Sequence, residues 1–403
     1  MSGVGPTQLG EVASFVRGIT FKPDDVVPVG SPGSVACMRT KNVQTELDLS
    51  DVWGIPGSLV KREDQYLESG DLLVSSANSW NLVGKCCWVP ELPWRATFGG
   101  FISVLRGDSE RIEPRYLYHW FSSSRVQATV RSFGQQTTNI SNLNVDRCER
   151  LTVPLPPLPE QRRIAEILDK ADALRAKRRT AIAQLDALSQ SIFLDMFGDP
   201  ATNPKKWPVF ALGTLVRDVT NGMTRRRAEA DLGQSIVLRL RDIREGWIDF
   251  SEVNRITLNI DEAQKYEVSN GDLLFIRVNG NPDYVGRCAL FTGYPEQVYF
   301  NDHVMRVRID GTAVDGMFLI SLLNGAHGKG EIAKHRKTSA GQHTINQDGL
   351  SRIRFPLPPI RLQHEFASRV AAVDACKRTN ELALRTSDGL FASIQECAFQ
   401  GAL

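Results

Sequence analysis

The stretch VPLPPLPEQRRIAEILDKADAL, residues 153–174, decides the reading of this chain, because it recurs as FPLPPIRLQHEFASRVAAVDAC at residues 355–376. Proline can neither donate into a β-ladder nor sit inside a helix, so the Pro-rich run closes one folded segment and opens another. A long amphipathic pattern follows. Ile164, Ile167, Leu168, Ala171, Leu174, Ala181, Leu185, Leu188 and Ile192 recur at steps of three and four, with Lys and Arg on the other face. In the second copy Phe366, Val370, Val373, Leu384, Leu390 and Ile394 form the corresponding stripe, with an interruption expected at Gly389. The two copies stay in register, without a gap, to SIFLDMF (191–197) and SIQECAF (393–399).

Outward from this block the likeness continues. CMRTKNV (37–43) resembles VLRLRDI (237–243), and SGDLLVSSANSWNLVGKC (69–86) resembles NGDLLFIRVNGNPDYVGRC (270–288), matching Gly70 with Gly271 and Gly84 with Gly286. SFGQQTTNI and SAGQHTINQ align Gly134 with Gly341 at a larger offset, which places insertions in loops. In a chain of 403 residues, a repeat of about half that length is a duplication of the whole. Each half opens with short β-branched runs such as DLLVSS, GGFISVLRGD, GDLLFIRV and HVMRVRID, broken by Gly, Pro, Asn and Asp. Helical spacing interrupts them at residues 115–133 and 316–335.

The expected fold is therefore α+β with an internal pseudo-twofold repeat. Residues 1–153 and 199–355 are strand-rich domains, and residues 154–198 and 356–403 are Pro-turns with long helices. A helix of some 40 residues is ~60 Å long at ~1.5 Å per residue, and its apolar stripe must be covered along that length. The other copy is the simplest cover. An antiparallel, coiled-coil-like pair would set the two strand-rich domains at opposite ends of a rod. The alternative is that both helices are ordinary core elements of larger domains.

Composition excludes several classes. Apolar residues at 42% and charged residues at 23% are ordinary for folded protein, against disorder, collagen or a pure coiled coil. No apolar run reaches the ~18 residues of a membrane helix, and MSGVGPTQLGEV has no signal-peptide core, so a cytoplasmic protein without membrane contact is expected. Seven scattered cysteines without a C-x-x-C spacing point to reduced thiols. A phosphate-binding G-x-x-x-x-G-K-[ST] loop, an H-E-x-x-H pair and a G-x-S-x-G elbow are missing, and the six histidines do not cluster as metal ligands. Asn281-Pro282-Asp283-Tyr284 looks like the N-P-P-Y tetrapeptide of amino-methyltransferases. The first half has Asn78-Ser79-Trp80-Asn81 in the matching loop, and neither follows a glycine-rich cofactor loop, so a polar hairpin tip is the favoured reading. The chain reads as a binding protein with no catalytic residue and no metal site.

With these residues in view, the chain resembles the specificity subunit of type I restriction-modification systems along its whole length. The Pro-turn-plus-helix blocks closing in DMFGDP and AFQGAL, and NPKKWPVFALGTLV opening the second copy, carry the resemblance. The second copy departs from the pattern where Leu362 replaces Glu160, although Gln161 and Gln363 are both kept. The resemblance implies a target-recognition domain in each half, each reading half of a bipartite site in double-stranded DNA, with the helices as spacer. It also implies two methyltransferase subunits that bind S-adenosylmethionine, and restriction subunits that use ATP and Mg, with no cofactor in this chain. Domains carried on one face of B-DNA would lie about one helical turn (~34 Å) apart, and at most ~18 base pairs.

Repetition also nominates the DNA-reading side chains, since equivalent loops should do equivalent work. Arg39 and Lys41 match Arg239 and Arg241, at alternate positions on or beside a strand, where they could reach guanine or a phosphate. The hairpin tip offers Ser76, Asn78, Ser79, Trp80, Asn81 and Lys85 against Arg277, Asn279, Asn281, Tyr284 and Arg287. Asn suits adenine, the aromatics can stack or wedge, and the closing basic residue suits phosphate. A Gly-led loop sets Gln135, Gln136, Thr137 and Thr138 against Gln342, His343 and Thr344. Arg225, Arg226 and Arg227 form a triple basic run suited to a phosphate clamp. A solvated turn is the plain alternative for each.

Charge is evenly spread. Residues 1–153 carry 15 Lys and Arg against 16 Asp and Glu, and residues 199–355 carry 21 against 19, within a net charge of +2 for the chain. Since phosphate neutralisation supplies most non-specific affinity, the isolated chain should bind DNA weakly and borrow its grip from partners. Three other readings stand beside this one: a recognition subunit for a fused nuclease-methyltransferase, a self-contained adenine methyltransferase using Asn281 to Tyr284, and a protein scaffold.

Overall fold

A computed structural model describes residues 7–136, 140–224, 233–339 and 341–400. The chain forms two compact units, one running to Arg179 and resuming at Glu381, the other Thr180–Asn380. The first half runs β1 (Thr7–Gln8), β2 (Ala13–Arg17), β3 (Ser34–Met38), β4 (Trp53–Pro56), β5 (Leu72–Ser75), β6 (Ala77–Asn78), β7 (Cys86–Trp88), β8 (Ala96–Phe98) and β9 (Ile102–Gly107). Then come α1 (Pro114–Phe121), α2 (Ser124–Ser132), β10 (Gln135–Gln136), β11 (Ser141–Asn142), α3 (Val145–Glu149), β12 (Thr152–Val153) and α4 (Leu158–Phe197).

The second half repeats this order as β13 (Val209–Ala211), β14 (Val216–Asn221), β15 (Ser235–Leu238), β16 (Arg255–Ile256), β17 (Leu273–Ile276), β18 (Val278–Asn279), β19 (Cys288–Leu290), β20 (Val298–Phe300) and β21 (Val304–Ile309). One short helix, α5 (Ile260–Tyr266), is added before β17. α6 (Gly316–Asn324), α7 (Ala326–His335), β22 (Lys337–Ser339), β23 (Gln342–Thr344), α8 (Gln347–Ser351), β24 (Arg354–Pro356) and α9 (Ile360–Gln400) complete it. Each strand of the first half thus matches the strand numbered twelve higher.

Sheet topology repeats with the order of elements. An antiparallel sheet β2-β9-β5-β7 has its counterpart in β14-β21-β17-β19, and a mixed sheet β4-β3-β8 in β16-β15-β20. The small sheet β10-β11-β6 matches β22-β23-β18, and the pair β1-β12 matches β13-β24. Strand β5 shows why DLLVS is apolar at successive positions. Leu72 and Val74 enter the core beneath the helices, whereas Leu73 enters a second core against the mixed sheet. A strand covered on both faces loses its polar alternation. Leu273 and Phe275 are divided from Leu274 and Ile276 in the same way in the second unit.

This topology corrects one part of the sequence alignment. β10 and β11 match β22 and β23 at an offset of 201–202 residues, close to that of the flanking elements, so no loop insertion is needed. Gln135 and Gln136 lie on the edge strand of their sheet, whereas Gln342, His343 and Thr344 lie on the central strand of theirs. The Gly134–Gly341 match follows a local likeness of letters; strand pairing, which is a long-range property, sets the true equivalence.

The long helices form as expected, and α9 passes through Gly389 unbroken. A helical glycine costs only about 1 kcal/mol, which packing along the rest of the helix offsets. Within the first unit, Arg175 of α4 donates to Asp388 of α9 at 2.6 Å and lies over the Phe391 ring, while Ile164, Ala165 and Leu168 share a core with Ala398. Within the second, Lys377 pairs with Asp186, and Phe197 packs edge-on against Phe366 with centroids 5.3 Å apart. These contacts step in opposite directions along the two helices, so the pair is antiparallel. The buried seam is narrower than the predicted stripe: Leu174, Leu188 and Leu390 are exposed. A single partner helix covers less than the full apolar arc of an amphipathic helix.

The repeated glutamine anchors each helix. Gln161 is buried; its Oε1 accepts from Glu113 N at 2.9 Å, and its Nε2 donates to Pro156 O at 2.8 Å and Arg111 O at 3.1 Å. Gln363 accepts from Asp315 N at 2.8 Å and donates to Pro358 O at 2.7 Å and Ala313 O at 3.4 Å. Glu160 only pairs with Arg163 at the surface, so its replacement by Leu362 in the second copy leaves this anchor intact.

All seven cysteines are unpaired, and five are buried. Among the described residues no helix is long and apolar enough to cross a membrane.

Two predictions follow from the helix anchors. Gln161→Leu strands two backbone carbonyls and one N–H in a buried turn and is expected to cost about 2–4 kcal/mol, with a similar loss for Gln363→Leu, read from urea unfolding of the purified chain. In the first unit Asp169 accepts from His119 at 2.7 Å and from Arg115. Burial pushes its carboxyl up, but these hydrogen bonds outweigh it and hold the group at about 2, below its ordinary 3.8. A depressed folded value means stability present above about pH 4 and lost as pH falls towards 2. Asp169→Asn should flatten the melting temperature across that window.

Candidate nucleic-acid interface

The small three-stranded sheets carry Asn78, Gln135 and Gln136 in the first unit and Asn279, Gln342, His343 and Thr344 in the second, with the hairpin tips beside them. In the first unit, chain leaving β5 crosses from the large sheet into β6, which pairs Asn78 with Ser141 and Ala77 with Asn142, while β10 pairs Gln135 with Asn142 and Gln136 with Ser141. In the second, β18 sets Asn279 opposite His343 and Val278 opposite Thr344. Two loops that lie far apart in sequence thus meet in each unit. Thr137 and Thr138, and likewise Arg225, Arg226 and Arg227, lie outside the described residues.

The hairpin tips are built by glycine and asparagine. Gly84 and Gly286 sit at φ +80° and +85°, and a Cβ on either would come within 2.5 Å of Val130 or Ile332. Only glycine lets the chain turn there while pressed against α2 or α7. Asn78 Oδ1 accepts from Ser79 N at 2.8 Å, and its Nδ2 donates to Ser75 Oγ at 3.1 Å. Asn279 Oδ1 accepts from Asn281 N at 2.9 Å, and Asn281 Oδ1 accepts from Asp283 N at 3.0 Å, capping the turn Pro282–Tyr284. Arg336 of the neighbouring segment donates to Pro282 O at 2.8 Å and braces this tip. Beyond the caps, Trp80 is 52% and Tyr284 41% exposed, and Ser79 and Asn81 are exposed.

The basic candidates divide into held and presented groups. Arg39 and Arg239 do not sit on strands; each begins a 3₁₀ turn just past one, so the one-face argument from alternate strand positions does not apply. Arg39 lies 3.6 Å over the Trp53 ring and pairs with Asp51, and Arg239 bonds Asp242 and donates to Glu252 O at 2.6 Å. Lys41 and Arg241 reach outward, 60% and 52% exposed, paired with Asp51 and Glu252. Lys85 donates to Gln44 Oε1 at 2.7 Å. Arg287 lies 4.3 Å over Tyr284. His343 Nδ1 and Thr338 Oγ1 are 2.9 Å apart across the β22–β23 pair, and Gln342 is exposed.

The structure adds residues that sequence reasoning passed over. Phe101 and His303 stand just before β9 and β21, where Ser76 N donates to Phe101 O at 3.0 Å and Arg277 N to His303 O at 2.8 Å. Both directly precede the matched runs ISVLRGD and VMRVRID, and that common offset is the signal that could have found them. Arrays of this kind, with amides, hydroxyls, aromatics and guanidinium groups on paired strands, can bond base edges and phosphates. Among the described residues no cluster of His, Cys, Asp and Glu could hold a metal ion.

Comparisons with known proteins bear on the family and the fold. The family model for the type I restriction modification DNA specificity domain matches twice, over residues 1–185 and 204–385. The chain is 29% identical to the type I restriction enzyme StySPI specificity subunit of Salmonella potsdam, covering 100% of this chain and 89% of that protein. It is 27% identical to the EcoKI specificity subunit of Escherichia coli strain K12, covering 97% and 87%. The crystal structure of a type I restriction-modification S subunit from M. genitalium shares the fold, with a TM-score of 0.59 at 14% identity over 98% of this chain and 96% of that one. Two matched domains, each closed by its Pro-turn and long helix, place this chain in the type I restriction modification DNA specificity domain family.

Proposed function

We propose that the chain is the DNA-recognition subunit of a type I restriction-modification complex, in which each unit reads one half of a bipartite site. The observation that supports this best is the pairing of identical topology with unlike side chains. Strand order is the same in both units, yet the small sheet and its tip present Ser76, Trp80 and Lys85 in one and Arg277, Tyr284 and Arg287 in the other. Such a frame reads two different sequences with one geometry. In this reading the chain is not itself catalytic. The carboxamide oxygen of Asn281 accepts the hydrogen bond that caps its own turn, which speaks against the tip as an amino-methyltransferase motif.

The partners in this proposal are two methyltransferase subunits carrying S-adenosylmethionine and restriction subunits using ATP and Mg, all in the cytoplasm. Leu174 and Leu390 in the first unit and Leu188 and Leu194 in the second, exposed on the long helices, offer apolar surface for such docking. The evenly balanced charge supports a reader that depends on partners for phosphate contacts. At about 0.15 M salt the isolated chain is expected to bind duplex DNA no tighter than about 1 µM, while the reconstituted methyltransferase complex protects a bipartite site at nanomolar concentration. Tight specific binding by the chain alone contradicts the borrowed grip, and a complex without a sequence-specific footprint contradicts recognition itself.

The proposal also assigns the helix pair to spacing. Four residues inserted in both α4 and α9 add about 6 Å of helix and should widen the non-specific gap between half-sites by about two base pairs. An unchanged gap, mapped from methylated adenines, removes the spacer role.

A further inference from the structure

Buried polar atoms without partners are uncommon in folded proteins, and each calls for an explanation. Three such atoms, Arg277 Nε, Arg287 Nε and His303 Nδ1, collect at one end of the sheet β21-β17-β19 in the second unit. Ile276 pairs with Val304, so Arg277 and His303 stand on the next rung, joined by the Arg277 N to His303 O bond of 2.8 Å. Arg287 is one rung back, its carbonyl accepting from Ile276 N at 2.9 Å. Asn301 Oδ1, two residues before His303, is also unpartnered. Yet the site is open, since the His303 side chain is 42% exposed. Donors and an acceptor without a hydrogen-bond partner thus lie beside a partly exposed imidazole, with Glu245 3.9 Å from Arg287 and Asp302 3.9 Å from His303.

The same rung in the first unit is built differently. Ser75 pairs with Ile102, so Ser76 and Phe101 occupy the positions of Arg277 and His303, and Phe101 is 61% exposed. The Phe101 ring stays outside the core that packs beside it.

We propose that this rung is a specificity-determining position in both units, resting on the DNA-recognition reading given above. In the Thr180–Asn380 unit, Arg277 and His303 select guanine, whose O6 and N7 accept from two adjacent donors in the major groove. In the other unit, Phe101 sets an apolar ring against a thymine methyl group. The two units thereby read different base pairs from one place in a shared fold.

The test uses the complex reconstituted with its methyltransferase subunits. Methylated adenines are mapped on genomic DNA for the wild type, for Arg277→Ser/His303→Phe, and for the reciprocal Ser76→Arg/Phe101→His. The first variant is expected to lower discrimination at a guanine of one half-site about ten- to a hundred-fold and leave the other half-site unchanged. The reciprocal variant, at half-buried Ser76 and exposed Phe101, is expected to change the other half-site alone. Where methylation falls below detection, selection of bound duplexes from a randomised pool reads the preference directly. Variants that keep the wild-type motif in both half-sites, by methylation or by selection, overturn the assignment. A wild-type complex that shows no bipartite motif instead overturns the recognition reading on which it rests.

Discussion

One buried amide in each unit fixes the junction from which the long helix departs. Gln161 and Gln363 tie the Pro-turn, the first turn of the long helix and the loop before α1 or α6 into one body, by two donated hydrogen bonds and one accepted. Proline removes the local N–H donors that would otherwise organise such a turn, leaving carbonyls that need an outside partner. An amide is suited to this, having both donors and an acceptor in fixed geometry. A carboxylate could accept from Glu113 N but could not donate to Pro156 O. That is why glutamine persists at both turns while the adjacent Glu160 is replaced by Leu362.

With the helix direction set by the same device, the two units complete the junction by different chemistry. In the first, Arg115 and His119 of α1 bond Asp169 of α4, and Gln395 of α9 donates to His119 O at 2.8 Å. In the second, Phe193 and Phe197 pack with Phe318 and Phe366, with ring centroids between 5.0 and 5.7 Å. The polar junction depends on satisfied hydrogen bonds and on pH, the aromatic one on area removed from water and on ring geometry. Duplicated halves have kept the topology and diverged in what fills it.

Sequence repetition located the Pro-turns, the long helices, Gly84 and Gly286 and the hairpin tips, because each depends on neighbours close in the chain. It misjudged features that depend on contacts from afar. Leu174, Leu188 and Leu390 belong to the helical stripe but lie outside the seam, since seam width is decided by the partner helix. Gln135 and Gln342 look alike in a string of letters but stand on an edge strand and a central strand. All four of Arg39, Arg239, Lys41 and Arg241 have carboxylate partners, yet the Arg39 and Arg239 side chains are mostly buried against the fold while those of Lys41 and Arg241 are more than half exposed.

By itself, then, the sequence determined a duplicated α+β chain with two Pro-capped helices and two polar tips, because proline, glycine and apolar periodicity act on local backbone geometry. Only the tertiary structure decided which tip residues share a surface. Sheet pairing brings residues of β6 and β11, or of β18 and β23, side by side across more than sixty residues of chain. It also sets His303 beside Arg277 at the end of a ladder, where no local pattern in either segment marks the other.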